Sequence, residues 1–407
     1  MSRRHSIFSF ALVVAALGYF VDIYDLLLFS IIRIPSLQSL GLGGDALKAG
    51  GESILTWQMW GLLLGGIIWG VMGDKRGRMS VLFGSILLYS LANIANGFVQ
   101  TVDQYKWIRF IAGLGLAGEL GAGITLVSEL TPKEKRGVAT SLVAGIGLTG
   151  AVAAFIVKEN FPWRTAYFIG GGLGFLLLFL RVSMFESGLF KNVKESTVQR
   201  GNFFMLFTNG DRFRRYLLGI LIGLPTWFVI GVLVTFANDF GKAMGVRGSV
   251  DPGKAIMYAY VGISIGDILI GLVSQWFRSR KKALFLFYAI TALFIILFFT
   301  ALQNATPAAM YWVCAGLGFG TGFWAIFVTM AAEQFGTNLR ATTATTIPNM
   351  VRGMLAVLIL PLFKALRGAT DYYTGGWLTA LVIMVLTVAA ALMTKETFGK
   401  DLNYVEE

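Results

Sequence analysis

The chain has 407 residues, of which 56% are hydrophobic and only 14% charged, with a net charge of +12 and a mean hydropathy of +0.70. A soluble domain carries about 25% charged residues, so the composition is that of a membrane protein, and the positive charge bears on topology rather than on nucleic acid. One cysteine, Cys314, and one histidine, His5, exclude a disulfide framework, a Cys- or His-based metal centre and Ser–His or Cys–His catalysis.

Crossing the hydrocarbon layer takes roughly 20 apolar residues. The first candidate, residues 7–32, holds Asp22 and Asp25 and lacks a small-residue cleavage site, so it is expected to stay as a span. Residues 53–73 and 79–102 carry no charge, and 104–128 contains Arg109 and Glu119. Residues 137–157 and 165–182 complete a first set of six, followed by the polar stretch 183–214. A second set begins with 216–238 and with 255–277, which holds Asp267. The uncharged stretch 283–332 is too long for one crossing and is divided by Gln303-Asn304-Ala305-Thr306-Pro307. Residues 341–366, with Arg352, and 372–394 close the series. The expectation is an all-α membrane protein of twelve transmembrane helices. A bundle over 1–182 and a bundle with a short tail over 215–407 are joined by a linker over 183–214.

Lys and Arg collect in alternate connections, at Lys75-Arg76 and Arg78, at Lys133–Arg136, in the linker, and at Arg278–Lys282. By the positive-inside rule those connections and both termini are cytoplasmic. Glu129-Leu-Thr-Pro-Lys-Glu-Lys-Arg136 is echoed 204 residues later by Glu333-Gln-Phe-Gly-Thr-Asn-Leu-Arg340, each between uncharged runs. A charged hairpin repeated once per half is the mark of a duplicated membrane fold.

Gly70-Val-Met-Gly-Asp74-Lys75-Arg76-Gly77-Arg78-Met79 is similar to the loop signature between helices 2 and 3 of the major facilitator superfamily. Its second-half counterpart, Gly271-Leu-Val-Ser-Gln275-Trp-Phe-Arg278, keeps the glycine but replaces the acid by Gln275. Arg109-Phe-Ile-Ala-Gly113-Leu-Gly115-Leu-Ala-Gly118-Glu119 resembles the helix 4 signature, and its Gly-Glu ending resembles the branch of metabolite–proton symporters, sugar porters and organic-ion carriers. Trp163-Arg164, Arg181 and Glu186-Ser187 resemble the entry and exit of helix 6 in that branch. The exit here, Phe185-Glu186-Ser187-Gly188-Leu189, departs from the Pro-Glu-Ser-Pro-Arg of sugar porters. The resemblance implies a secondary transporter that works by rocking two bundles about a central site, with Gly70, Asp74, Arg78, Glu129, Arg136, Glu333 and Arg340 forming cytoplasmic latches. No nucleotide-binding loop, cofactor or metal is expected.

Charges inside a membrane cost at least ~2.5 kcal/mol each on insertion scales and need a partner or a role. Asp22 and Asp25 are three residues apart, and two close carboxylates resist ionising together, which suits proton uptake. Glu119, between Gly118 and Gly121, reads as a buried, unpaired acid ready to exchange a proton. The opposing reading for these acids is structural pairing, for Glu119 with an arginine of the first half. Arg352 cannot deprotonate, and its planar fork matches a carboxylate, so it reads as an anion anchor or as a partner of Asp267. Arg109 is a second candidate anchor. Tyr19, Trp324, Gln58 and Asn349 are polar or aromatic groups within spans that can touch substrate.

These residues favour proton-coupled symport of a small organic anion, with Asp22, Asp25 and Glu119 as proton carriers and Arg352 or Arg109 on the anion. A neutral sugar or polyol carrier, an exporter of cationic or lipophilic compounds, and a non-transporting sensor of the same fold are the competing readings. The expected partners are a small molecule, protons and membrane lipid, with no nucleic acid, and the chain is expected to act as a monomer in the inner membrane.

Overall fold

The computed structural model describes residues 2–76, 78–119, 143, 145–186 and 203–399. The first half contains α1 (Ser2–Ser39), α2 (Gly44–Arg76), α3 (Arg78–Asn96), α4 (Val102–Leu116), α5 (Gly150–Asn160) and α6 (Trp163–Glu186). After a short 3-10 turn at Phe203–Leu206, the second half contains α7 (Gly210–Phe228), α8 (Ala237–Ala243), α9 (Pro252–Phe277) and α10 (Arg280–Thr300). It ends with α11 (Pro307–Thr321), α12 (Trp324–Glu333), α13 (Thr337–Met354), α14 (Leu360–Ala369) and α15 (Tyr372–Met393). Among the described residues, nine segments are long and apolar enough to cross a membrane. Helices α3, α4 and α5 supply three more crossings, which makes twelve. The seventh crossing is α7 and α8 joined through the π-helical turn Val229–Val234, the tenth is α11 with α12, and the eleventh is α13 and α14 joined through the π-helical turn Leu355–Ile359.

Local chemistry fixes the ends of these rods. Thr101 and Gln104 form a reciprocal capping box at the start of α4. Asp251 caps α9 ahead of Pro252, and Thr306 caps α11 ahead of Pro307, within the polar cluster that divides the long apolar run. Two boundaries differ from the sequence expectation. Helix α1 continues through Arg33 to Ser39, because Arg33 finds partners inside the protein. The tenth crossing is not continuous, since the helix stops at Thr321 and resumes at Trp324.

Glycines set the spacing within each half. A methyl group on Gly61 or Gly65 of α2 would strike the backbone of α4 at the Phe110 and Leu114 carbonyls. In the second half, Gly262 and Gly266 of α9 lie in the same way against the Ala315 and Phe319 carbonyls of α11. The duplication therefore extends to helix packing, with second and fourth crossings in backbone contact in both halves. Across the halves, Gly66 of α2 faces Asn349 of α13, and Gly70 faces the Thr346 methyl, where an added methyl would come within 3.2 Å. The two π turns also meet, with the Leu355 side chain lying on Gly231.

Candidate functional site

The charges buried in the membrane region resolve into two centres of different character. One is a knot inside the first half that closes around Arg109, although Asp25 Oδ2 and Asn93 Nδ2 make no hydrogen bond among the described residues. Arg109, fully buried, donates to Asp25 Oδ1 at 3.2 Å, Asn93 Oδ1 at 3.2 Å, Gln58 Oε1 at 3.2 Å and the Asp25 carbonyl at 3.1 Å. Gln58 spends its amide on the Leu26 carbonyl at 2.9 Å. The Tyr167 ring covers the guanidinium at 5.6 Å, and its hydroxyl is tied to Tyr105 at 2.6 Å. Four helices thus meet on one cation whose three nitrogens are all engaged. Breaking such a buried pair would cost several kcal/mol, so Arg109, Asp25 and Gln58 act together as a fastener of the first bundle.

The second centre lies between the bundles. Asp22 of α1 and Arg352 of α13 are both buried and face each other at 3.6 Å between Oδ2 and Nη2. That is an ion pair without a hydrogen bond. Among the described residues, neither carboxylate oxygen of Asp22 and neither Nε nor Nη1 of Arg352 makes a hydrogen bond. The guanidinium lies 6.0 Å from the Trp324 ring centre, and the indole N–H is also without a hydrogen-bond partner among the described residues. Tyr19 stands within electrostatic reach of Arg352, Asp267 and Asp22, and Tyr260 within reach of Arg352 and Asp22. Arg352 sits one turn before the π turn Leu355–Ile359 and one turn after Pro348, in a stretch where the hydrogen-bond ladder is interrupted. π turns of this kind concentrate at functional sites. The whole assembly is a cation, an acid and an indole donor held at a bundle interface with hydrogen-bonding capacity to spare.

Of the two roles expected for Arg352, anion anchor or partner of Asp267, the second is not seen: the carboxylate facing it is Asp22. Asp267 accepts from the Ala325 amide at 2.8 Å and so caps the start of α12, where the tenth crossing resumes. Asn349 lies below Arg352 on α13 and donates across the bundle interface to the Ala117 carbonyl at 2.9 Å. Glu119 is not the unpaired acid the sequence suggested. Arg181 of α6 grips both of its oxygens, one at 2.9 Å, and the Gly18 backbone lies directly over the pair. Nor do Asp22 and Asp25 share a site, since one faces the second bundle and the other the core of the first.

Of the latch residues, Gly70 makes its close approach to α13, and Glu333 is held by Arg280 in two hydrogen bonds of 2.7 and 2.6 Å. Beside it, Glu396 accepts from Ser279 and from the Arg280 and Lys281 amides, which caps α10. Burial pushes the Glu396 carboxyl up, but those hydrogen bonds and one from the Phe398 amide outweigh it and bring it down to about 2. Asp74, Arg78 and Arg340 lie on described backbone, but their side chains are outside the described residues, as are Glu129 and Arg136 altogether.

Sequence reasoning missed a third set of charges, toward the face opposite the linker. Arg33 of α1 donates to Asn238 Oδ1 at 2.9 Å and to the Thr235 carbonyl at 3.1 Å, with Asp239 at 3.7 Å. Glu52 of α2 takes Arg367 through both oxygens and Lys364 at 3.3 Å, both from α14. Lys158 of α5 reaches Asp251 at the start of α9. All three of these pairings join one half to the other. The signal in the sequence was Arg33 itself, set between Ile32 and Ile34 at the end of an apolar run.

The chain can be compared with known proteins on this basis. The family model of the Major Facilitator Superfamily matches residues 6–361. A putative metabolite transport protein of Haemophilus influenzae is 27% identical, over 97% of each chain. The 4-hydroxybenzoate transporter PcaK of Pseudomonas putida is 26% identical, over 93% of this chain and 92% of its own. The solved structure of the proton:xylose symporter XylE bound to 6-bromo-6-deoxy-D-glucose superposes with a TM-score of 0.69 at 16% identity, over 98% of both chains, which is a likeness of fold.

Proposed function

The chain belongs to the major facilitator superfamily and is a multi-pass membrane transporter, not an enzyme, and from that premise we propose that it carries a small organic carboxylate in symport with a proton. The observation that carries this reading is the under-bonded Asp22–Arg352 pair between the bundles. Nε and Nη1 of Arg352 make no hydrogen bond among the described residues, and each forms a parallel pair of donors with Nη2, so a carboxylate that draws Nη2 away from Asp22 finds a fork for two hydrogen bonds on either edge of the guanidinium. Asp22 competes weakly for it, at 3.6 Å. When a substrate carboxylate takes Arg352, Asp22 loses its cation while Glu119 and Asp25 stay within electrostatic reach. A buried carboxylate in that position is neutralised most cheaply by taking a proton, so anion and proton bind together. Trp324, whose indole N–H makes no hydrogen bond among the described residues and whose ring lies near the same guanidinium, suits the flat face or a hydroxyl of an aromatic acid, and the relative named for 4-hydroxybenzoate supports that class.

The protein works in this reading as a monomer in the cytoplasmic membrane, with the linker face and both termini inside, as the Lys and Arg distribution supports. Bundle rocking exposes the pair to one face and then the other. Asp25 and Arg109 hold the first bundle rigid, and Glu119–Arg181 is part of the same rigid body.

The test is thermal stabilisation of the purified protein by carboxylates, sugars and organic cations, followed by transport in proteoliposomes. Stabilisation by 4-hydroxybenzoate or a related carboxylate, lost in Arg352→Gln, is the expected result. Asp22→Asn should retain substrate exchange but lose accumulation driven by a pH gradient. Stabilisation by sugars or cations alone, or an undiminished carboxylate response in Arg352→Gln, overturns the reading.

A further inference from the structure

The Asp22–Arg352 pair has a second under-bonded charge pair above it on the same helix stripe. Arg33 lies eleven residues after Asp22 on α1, three turns and ~16 Å further along and on nearly the same side. It is fully buried, yet among the described residues its Nε and Nη1 make no hydrogen bond. Its acid, Asp239, stands off at 3.7 Å with Oδ2 making no hydrogen bond among the described residues. The guanidinium rests on the Phe236 ring at 4.3 Å and lies across Gly51, where a methyl would come within 2.7 Å of Arg33 Cδ. The Tyr372 hydroxyl, within electrostatic reach of Arg33, Asp239, Glu52 and Arg367, also makes no hydrogen bond among the described residues. In this cluster Arg33, Lys364 and Arg367 share the carboxylates of Glu52 and Asp239. Three cations against two acids leave room for one more anion.

We propose that Arg33 is a second anion-binding position, which receives the substrate carboxylate at the face opposite the linker and passes it inward to Arg352. The inference rests on the carboxylate reading above. When the bundles part at that face, Arg33 leaves Asp239 and Asn238, and the released Nη2 joins Nε and Nη1 as donors for an incoming anion. An anion docks there first, drawn by the excess cation. When the bundles close, Asp239 and Asn238 reclaim Arg33 and expel the anion toward Arg352, three turns deeper along α1. The same guanidinium thus pairs with substrate in the open state and with the opposite bundle in the closed state.

The role separates cleanly from that of a simple tie between the bundles. If Arg33 and Asp239 only hold the halves together, removing either charge loosens the same tie and moves transport in the same direction. If Arg33 receives the substrate, Asp239→Asn removes its competitor while Arg33→Gln removes the receptor, and the two act in opposite directions. Initial-rate uptake of radiolabelled 4-hydroxybenzoate, in vesicles of each orientation, reads this directly. For entry from the face opposite the linker, we expect KM to rise at least tenfold in Arg33→Gln, to recover partly in Arg33→Lys, and to fall in Asp239→Asn. For entry from the linker face, Arg33→Gln should leave KM near that of the wild type. Shifts of the same sign in Arg33→Gln and Asp239→Asn, with the wild type still taking up the carboxylate, overturn the outer position alone. A wild type that neither binds nor carries any carboxylate overturns the central reading, and the outer position with it.

Discussion

Asp22 and Asp25 show how far apart two neighbouring acids can end in role. On a helix they are three residues apart, and the sequence presents them as one pair of like charges. In the fold, the 100° turn per residue aims Asp25 at Arg109 inside the first bundle and Asp22 at Arg352 across the interface. Arg109 has every nitrogen occupied, whereas Arg352 has two free among the described residues. Removing a member of a closed buried pair leaves the other uncompensated, at a cost of about 3–5 kcal/mol. Arg109→Gln should therefore lower the unfolding temperature of the detergent-solubilised protein sharply, and by clearly more than Asp22→Asn, which gives up an ion pair without a hydrogen bond. Equal losses of stability in the two variants would contradict the division into fastener and site. The sequence disclosed that these charges were buried but not whom they met. The partner of Asp25 is 84 residues away, and nothing local marks it. Glu119 is the same case, since its partner Arg181 reads from sequence as a cation at a helix end.

The element that most affects the site is the break in the tenth crossing. Helix α11 ends at Thr321, and α12 begins at Trp324, so the first amides of α12 have no carbonyl a turn below them. Asp267, reaching over from α9, accepts from one of them, while Gly322 lets the two backbones close to a distance that a methyl would forbid. The cap fixes where α12 starts and hence where the Trp324 ring stands over Arg352. Capping needs an acceptor oxygen and not a charge. Asp267→Asn should therefore preserve carboxylate binding and the quenching of Trp324 fluorescence by substrate, whereas Asp267→Ala should weaken binding several-fold with about 1 kcal/mol lost from the cap. Loss of binding in Asp267→Asn would show that the negative charge itself is used. Gly322 gave no warning of this break, because it is the fourth glycine of Gly316-Leu-Gly318-Phe-Gly320-Thr-Gly322 and glycines in an apolar run read equally as packing residues. The π turn after Arg352 was also illegible, since its proline, Pro361, lies where an ordinary kink would serve as well.

Across the whole molecule, twelve spans and two halves were readable, since each leaves a periodic trace: uncharged runs of membrane length and a repeat at half the chain. The closure of the face opposite the linker was not. Its residues, Glu52, Lys158, Asp251 and Arg367, each flank a span, and a flanking charge looks the same whether it faces water or the other bundle. In the fold they form ion pairs that no single half can make, so they exist only while that face is shut. Glu52 is the most committed of them, buried at 1% exposure and holding both Arg367 and Lys364. Glu52→Gln removes the acid from two cations at once and keeps the side-chain volume, so it should raise the population in which the bundles are parted at that face. Asp45 and Ser249 lie exposed on that face, one in each half. Spin labels at those positions should report mainly short distances in the wild type and a grown population of long distances in Glu52→Gln. A matching pair at the linker face should move the opposite way, because rocking two rigid bundles about a central site opens one face only as it closes the other. A distance distribution unchanged by Glu52→Gln would mean that apolar packing, as at Gly231 and Leu355, holds that face shut without the ion pairs.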